Sequence, residues 1–494
     1  MHRVLFPEPI TSLDEYLARG GGAGLEAARD HNPDFLVAEL TASGLRGRGG
    51  AGFPTGIKWR TVLDYASPEL ATTVIVNGAE GEPGTFKDRT ILARSPYQVI
   101  EGALIAAHVV GANEVIFALK KSWAAIVRRM QAAIDEVVAA GWTEGLELRI
   151  FEGPNEYLYG EETALLETME GRYPFPRVSP PYKRGEVEVV EHDSDVYSRS
   201  GLSAHVEMAD PTGETGAPPA LVDNVETMAN IPRIIARGAA WFRTEGTEKS
   251  PGTIVCTITG NVQREGVGEV IMGTPLREAI TAISGGPRPG RRIKAVLVGV
   301  SGAVLTADQL DTPLTYEDMA AAGSGLGSAG YLVVDDATDM AAVAAGVSRF
   351  LAVESCGQCT PCKLDGLELS DLFEKLCRSE ASRADQERIQ HLIDTVGDRA
   401  RCSLATQHQT VVGSILASFA PEIASHVGAG AGRGAAAPVA PVLIAELENI
   451  AGDEAVWDER HRAKQPDWSY TAEWSGKIPA ELYGDHRHPL PLPE

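Results

Sequence analysis

Three cysteines, Cys356, Cys359 and Cys362, fall within the seven residues CGQCTPC. A C-x2-C-x2-C spacing lets one short stretch of chain wrap three corners of an iron–sulfur cube, and a fourth thiolate must then come from elsewhere. Two-cluster ferredoxins bring that ligand a few residues later and follow it with proline, which Lys363 and Leu364 do not supply. Zinc prefers two separated C-x2-C pairs, so three crowded thiols and a remote one fit a cubane better. Cys256 lies in an apolar strand pattern and Cys377 in a helical one, where cysteine serves as a small buried hydrophobe. Six cysteines in 494 residues, so unevenly placed, do not make a disulfide framework.

A second candidate is the glycine-rich run GLRGRGGAGFPTGIKW, Gly44 to Trp59, in which Gly47, Gly49 and Gly52 satisfy GxGxxG. A Rossmann turn needs a strand before the glycines and an acidic residue ending the next strand. Here the preceding PDFLVAELTAS reads as a helix and the following TTVIVN ends in Asn77, so both tests fail. The run retains another use: without Cβ atoms, successive N–H groups can converge on an anion as a nest. Arg46, Arg48 and Lys58 add positive charge, and Phe53 can offer a ring face to a base or flavin, worth about 0.5 to 1.5 kcal/mol beyond burial.

These groups must be held by a large scaffold. The chain is long enough for two to four domains, and an apolar fraction of 44% says that it folds. A net charge of -24 repels nucleic acid and anionic lipid. The N-terminal residues lack a signal-peptide pattern and no run of eighteen apolar residues occurs, so a cytoplasmic chain without membrane insertion is expected. Short β-branched runs at Ala71–Asn77, Asn113–Lys120 and Leu146–Phe151 alternate with helical patterns, which predicts an α/β domain with a mostly parallel sheet over residues 1–250. Residues 251–335 read as a small α+β module, and 336–427 as a compact helical bundle. GAGAGRGAAAPVAP, Gly428 to Pro441, reads as a flexible linker to a tail, ending at residue 494, that carries Trp457, Trp468 and Trp474 and wraps a neighbouring surface.

With NGAEGEPGTFKDR (Asn77 to Arg89), YGEETALLETMEG (Tyr159 to Gly171), DNVET (Asp223 to Thr227) and ESCGQCTPC (Glu354 to Cys362), the glycine run resembles the NADH-binding flavoprotein subunit of respiratory complex I. Diaphorase subunits of NAD-linked hydrogenases and formate dehydrogenases share this family, and the resemblance covers about residues 30 to 425 in order. It implies one cavity holding FMN and NADH, with Gly47, Arg48, Gly49, Gly50, Gly52 and Lys58 along the nucleotides and Phe53 stacked on NADH. Asn77, Tyr157, Gly160, Glu161 and Asn224 would contact the flavin, Glu82, Glu162 and Tyr182 would approach NADH, and Glu80 and Asp223 are further cofactor-binding candidates. Cys402, in RARCSLA, would be the fourth ligand of a 4Fe-4S cluster with Cys356, Cys359 and Cys362. The module at 251–335 would be a ubiquitin-like β-grasp insert for orientation and partner contact.

The implied activity is hydride transfer from NADH to the flavin, without a protein general base, followed by single electrons to the cluster. A thioredoxin-like 2Fe-2S subunit and a larger iron–sulfur subunit would carry them onward. A soluble diaphorase module, and a scaffold subunit that has lost its flavin, are the competing readings. Four positions depart from the family pattern: Ala79 where an Asp is usual, Tyr159 for a Cys, Asp223 for an Asn, and Thr61 where an aromatic can cover adenine.

Overall fold

The structure, a computed structural model, describes residues 4–66, 71–171, 174–177, 220–428, 436–442 and 444, with the backbone of Leu447–Glu448 and Val456–Trp457. Tyr182, Trp468 and Trp474 lie outside the described residues.

Strands β1 (Thr72–Gly78), β2 (Ala112–Lys120), β3 (Glu147–Gly153) and β4 (Ala220–Asn224) form one sheet in the order β3-β2-β1-β4. Every ladder in it is parallel. Parallel strands need crossovers, supplied by helices Lys87–Arg94 and Pro96–Val110 between β1 and β2, and by Ala124–Ala139 between β2 and β3. The Pro96–Val110 helix opens on proline and stops at Gly111, whose φ of 64° suits a residue without Cβ. Helices cover the sheet, so β1 reads as the continuous apolar run Val74-Ile75-Val76, all buried. Sequence periodicity marks the first three strands; ALVDN, the fourth, is too short to stand out.

The strand order reverses between β1 and β4, and such a reversal leaves a crevice beyond the carboxyl ends of the strands. Asn77 on β1 and Asn224 on β4 are register partners at its lip.

A second sheet follows, in the order β6-β5-β9-β7-β8, from β5 (Thr253–Gly260), β6 (Gly266–Ile271), β7 (Ile293–Val298), β8 (Gly302–Thr306) and β9 (Gly330–Asp335). Only β5 and β9 pair in parallel within it. Alternation divides its side chains: Val296 and Val298 join a core with the Leu276–Ser284 helix, while Ala295 and Leu297 join the core of the helices beyond. The sheet is therefore packed on both faces.

Helices Met340–Glu354, Thr360–Cys377 and Arg383–Thr395 come next. The stretch after Cys402 reads in sequence as one helical pattern but folds in pieces: Ser403–Gln407, a π-helical turn His408–Val412, then Gly413–Ser418 and Ala420–Ser425. A correction concerns the linker. Its second half does not float: Val439 N–H donates to Cys377 O at 2.7 Å, and just beyond the linker Val442 N–H donates to Ala342 O at 2.9 Å and Ile444 is buried in the helical core. Composition averages glycine and alanine with the valine that docks.

Candidate functional site

The glycine loop sits between helices Pro33–Ser43 and Thr55–Asp64, not between a strand and a helix. Gly44, at φ 72°, ends the first helix, and Gly47 N–H donates to Phe53 O at 2.8 Å, closing the loop at its neck. Among the described residues no acceptor takes the N–H groups of Gly49, Gly50 or Ala51. Three consecutive open donors at a turn make a nest for an anion. Gly50, at φ 127°, occupies a conformation that side chains rarely adopt.

Arg48 does not add its charge to that nest. Its side chain is buried, with Nη1 donating to Tyr316 Oη at 2.9 Å, Nη2 to Thr253 O at 3.0 Å, and Nε 3.9 Å from Glu226 Oε1. Its backbone N–H is taken by Thr227 Oγ1 at 2.9 Å. Arg48 thus anchors the loop from below. Phe53 is half-buried at the loop's far end.

Lys58 reaches the carboxyl end of β4 from the Thr55–Asp64 helix. Its ammonium donates to Glu162 Oε2 at 3.2 Å and to Val222 O. Burial opposes that charge, but Glu162 and Asp223 outweigh it and hold the pKa above the usual lysine value. Asp223, one of the departures, accepts from Trp59 Nε1 at 2.7 Å; burial raises its carboxyl against the pull of Lys58. Thr61, another departure, caps back onto Ile57 O at 3.0 Å along the same helix.

At the crevice, Asn77 Nδ2 donates to Gly160 O at 2.9 Å, and Ala79 N–H returns to Asn77 Oδ1 at 3.1 Å. A Cβ on Gly160 would lie 2.8 Å from Ala79 O, so only glycine fits. Asn224 caps the Val225–Arg237 helix through Glu226 N–H at 3.0 Å, accepts from Lys87 Nζ at 3.0 Å, and donates to Asp88 Oδ2 at 2.7 Å. Glu161 caps Ala164 N–H at 2.8 Å at the start of helix Glu162–Met169, and burial raises its carboxyl. Ala79 and Tyr159, the remaining departures, share one small core with Ile75 and Val222; Tyr159 is fully buried and its hydroxyl has no hydrogen-bond partner among the described residues.

Behind the crevice lies a buried charge network in which sequence reasoning gave a role only to Glu80, as a cofactor-binding candidate. Lys87 Nζ is 2.8 Å from Asp88 Oδ1 and 3.0 Å from Glu226 Oε2. Glu80 accepts from Asp88 N–H and Arg89 Nε, each at 2.9 Å, and caps the Lys87–Arg94 helix. Burial and Asp88 push its carboxyl up to about 7 against the pull of Arg89. The signal was legible as KDR beside an apolar run, but burial of all three charges has no sequence marker.

The short turn Tyr157–Gly160 touches two sites at once. Tyr157 Oη donates to Glu82 Oε2 at 2.5 Å and accepts from Gln407 Nε2 at 3.0 Å; Glu82 also takes Val300 N–H at 2.7 Å. Burial raises the Glu82 carboxyl, opposed first by the Tyr157 bond. The next residue, Leu158, lines a cavity with Cys356, Cys359, Cys362 and Cys402.

Ser355, Arg401 and Leu404 stand in the wall of that cavity. All four cysteines are free thiols. Among the described residues no three Cys, His, Asp or Glu groups converge to hold one ion; the four thiols share the wall of one cavity. Backbone and side-chain donors face the sulfurs: Arg401 N–H is 3.4 Å from Cys359 Sγ and Gln358 Nε2 is 3.5 Å from Cys356 Sγ. Lys363, fully buried, donates to Ala352 O at 2.8 Å and Ser355 O at 3.0 Å, setting a cation behind the thiols. Burial pushes the Cys362 thiol up to about 12, and raises Cys356 and Cys402 as well, so iron must displace these protons on binding. Four soft ligands around one cavity fit a 4Fe-4S cluster. Cys256 and Cys377 stay buried in apolar cores, apart from it.

Residues 40–233 match the Nuo51 FMN-binding domain, and residues 342–426 match the NADH-ubiquinone oxidoreductase-F iron-sulfur binding region. An F-type subunit of NADH-quinone oxidoreductase of Rhizobium meliloti is 35% identical over 84% of this chain and 94% of its own. An NADP-reducing hydrogenase subunit, HndC, of Solidesulfovibrio fructosivorans is 34% identical over 84% of this chain and 81% of its own. The crystal structure of an NAD+-reducing [NiFe]-hydrogenase in its H2-reduced state superposes with a TM-score of 0.71 at 31% identity, covering 85% of this chain and 67% of that one. The chain belongs to the family of F-type NADH-quinone oxidoreductase subunits and their hydrogenase counterparts, flavoproteins with an FMN-binding domain and a 4Fe-4S region.

Proposed function

We propose that this chain oxidises NADH at the crevice beyond β1 and β4 and passes electrons through the Tyr157–Gly160 turn to a cluster held by Cys356, Cys359, Cys362 and Cys402. FMN, when bound, supplies a two-electron acceptor for hydride and the 4Fe-4S cluster a one-electron acceptor. The observation that carries this reading is the shared turn: Tyr157 bonds Glu82 on the crevice side while Leu158 lines the cysteine cavity.

The open N–H groups of Gly49 and Gly50 would take phosphate, with Gly47 and Gly52 shaping the loop and Phe53 offering a ring face. Lys58 would balance that charge from the Thr55–Asp64 helix, beside β4. Asn77 and Asn224 would orient polar atoms of the flavin at the strand ends, and Gly160 permits the close approach. Glu82, Glu161 and Glu162 would accept ribose or ring donors, and Tyr182 would join them. Tyr157 holds Glu82 in place, while Arg48 and Glu80 hold the loop and the Lys87–Arg94 helix and need not touch a cofactor. Asp223 replaces a neutral donor by a carboxylate, so its charge retunes the site through Lys58. No side chain here is required to move a proton during hydride transfer.

The 251–335 sheet is read as a β-grasp module, residues 336–427 as the cluster-bearing helical unit, and the tail as an interaction segment. The departing electrons would enter a thioredoxin-like 2Fe-2S subunit and then a larger iron–sulfur subunit. The proposed placement is cytoplasmic, peripheral to a membrane through the partner subunits; no described helix is long and apolar enough to cross one. The superposed hydrogenase favours a second reading, the diaphorase of a soluble complex.

Anaerobic reconstitution of the purified chain tests the reading. One flavin and about four irons per chain, with NADH-dependent ferricyanide reduction, are expected. A chain that retains no flavin under these conditions is the scaffold subunit instead.

A further inference from the structure

The loop that would receive phosphate is clamped by a residue from the second sheet's module. Tyr316 opens the short helix Tyr316–Ala321, capped by Thr315 Oγ1 on Asp318 N–H, and is almost completely buried. Its Oη donates to Gly47 O at 2.9 Å and accepts from Arg48 Nη1 at 2.9 Å. Arg46 lays its guanidinium over the ring, 3.9 Å from the centroid, and Arg46 Nε donates to Gly52 O at 2.6 Å. Gly52, at φ 64°, sits so close to the ring that any Cβ would overlap it.

One side chain, 269 residues away in sequence, therefore touches the loop on both sides of its open donors. The module contributes more to the same wall: Gly327 and Ser328 stand 4.0 Å from the place of a Gly50 Cβ, and Val300 N–H bonds Glu82. A glycine loop has little order of its own, because its backbone entropy is the largest of any residue type. Its shape must come from what it leans on.

We propose that Tyr316 is a positioning residue for NADH binding, fixing the Gly47–Gly52 loop so that its open N–H groups are preorganised for phosphate. The module is then part of the nucleotide site and not only a spacer toward partners. This rests on the proposed NADH oxidation at the crevice.

The test uses the full-length flavin-loaded chain, comparing Tyr316→Phe with Tyr331→Phe. Tyr331 is a buried phenol of the same module whose hydroxyl has no partner among the described residues, so its removal controls for loss of a hydroxyl alone. Tyr316→Phe keeps the ring under Arg46 and against Gly52 but deletes both hydroxyl bonds. The KM for NADH is expected to rise about fivefold, the equivalent of one ordinary hydrogen bond, with kcat and flavin content unchanged. The hydrogen-bonded amides of Gly47 and Arg48 should exchange hydrogen faster in that variant, while Tyr331→Phe matches the parent in both readouts. An unchanged KM with unchanged exchange overturns the proposal, as does a fall in kcat and melting temperature without a change in KM, which marks a structural role. Absence of NADH oxidation in the parent chain would instead overturn the proposed function on which this rests.

Discussion

Tyr157 Oη and Glu82 Oε2 lie 2.5 Å apart, joining the turn beside the cysteine cavity to the loop after β1. The bond favours the charged form of a carboxyl that burial pushes up, and the further donors to Glu82 are the Val300 N–H and the Ser301 side chain.

Tyr157→Phe should therefore shift the acid limb of NADH binding. Without the phenol, Glu82 takes up its proton at higher pH and ceases to be an acceptor there. The pH below which the KM for NADH begins to climb is expected to move up. A superimposable pH profile would show that Glu82 does not meet the nucleotide.

His408 gives stability its own pH dependence. Its ring is buried against Ser348 Oγ at 2.8 Å, and burial pushes its pKa down from 6.5 to about 3. The unfolded chain takes up a proton below 6.5 that the native chain refuses, so this contribution is complete above that value and drains as the pH falls toward 3. The loss reaches about 2 kcal/mol by about pH 5. Denaturant titrations of the parent chain and His408→Asn should show their stability gap narrowing by that amount between about pH 7.5 and pH 5, since carboxylates common to both cancel. A constant gap would mean the ring titrates normally.

Gly346→Ala tests the docked segment. A Cβ at Gly346 would overlap Val442 O, which crosses the Met340–Glu354 helix there. Release of residues 436–444 should expose them to limited proteolysis, with NADH oxidation by the flavin unchanged. Resistance equal to the parent would show that the segment can shift without leaving.

The parallel sheet was legible because β-branched runs alternate with helical periodicity, and the clustering of three thiols because C-x2-C-x2-C sits in one loop. Rejection of the Rossmann turn was legible too, since the Pro33–Ser43 helix precedes the glycines. What stayed hidden was the destination of charges. Arg48 reads as a phosphate ligand beside glycines, yet it turns inward because Glu226 and Tyr316, brought by the fold from far along the chain, offer it partners. Glu80 likewise reads as a site acid but serves as a helix cap. Tyr316 carries no local motif at all. Val439 disappears into the average composition of a linker, although a docked segment needs only a few such residues.

Low-temperature electron paramagnetic resonance of the anaerobically reconstituted full chain addresses electron passage across the Tyr157–Gly160 turn most directly. NADH should bleach the flavin and raise an iron–sulfur signal in the parent chain, whereas Cys359→Ser should retain flavin bleaching and lose that signal. A parent chain whose cluster responds to dithionite but stays silent with NADH, while its flavin bleaches, would contradict a path between the two sites.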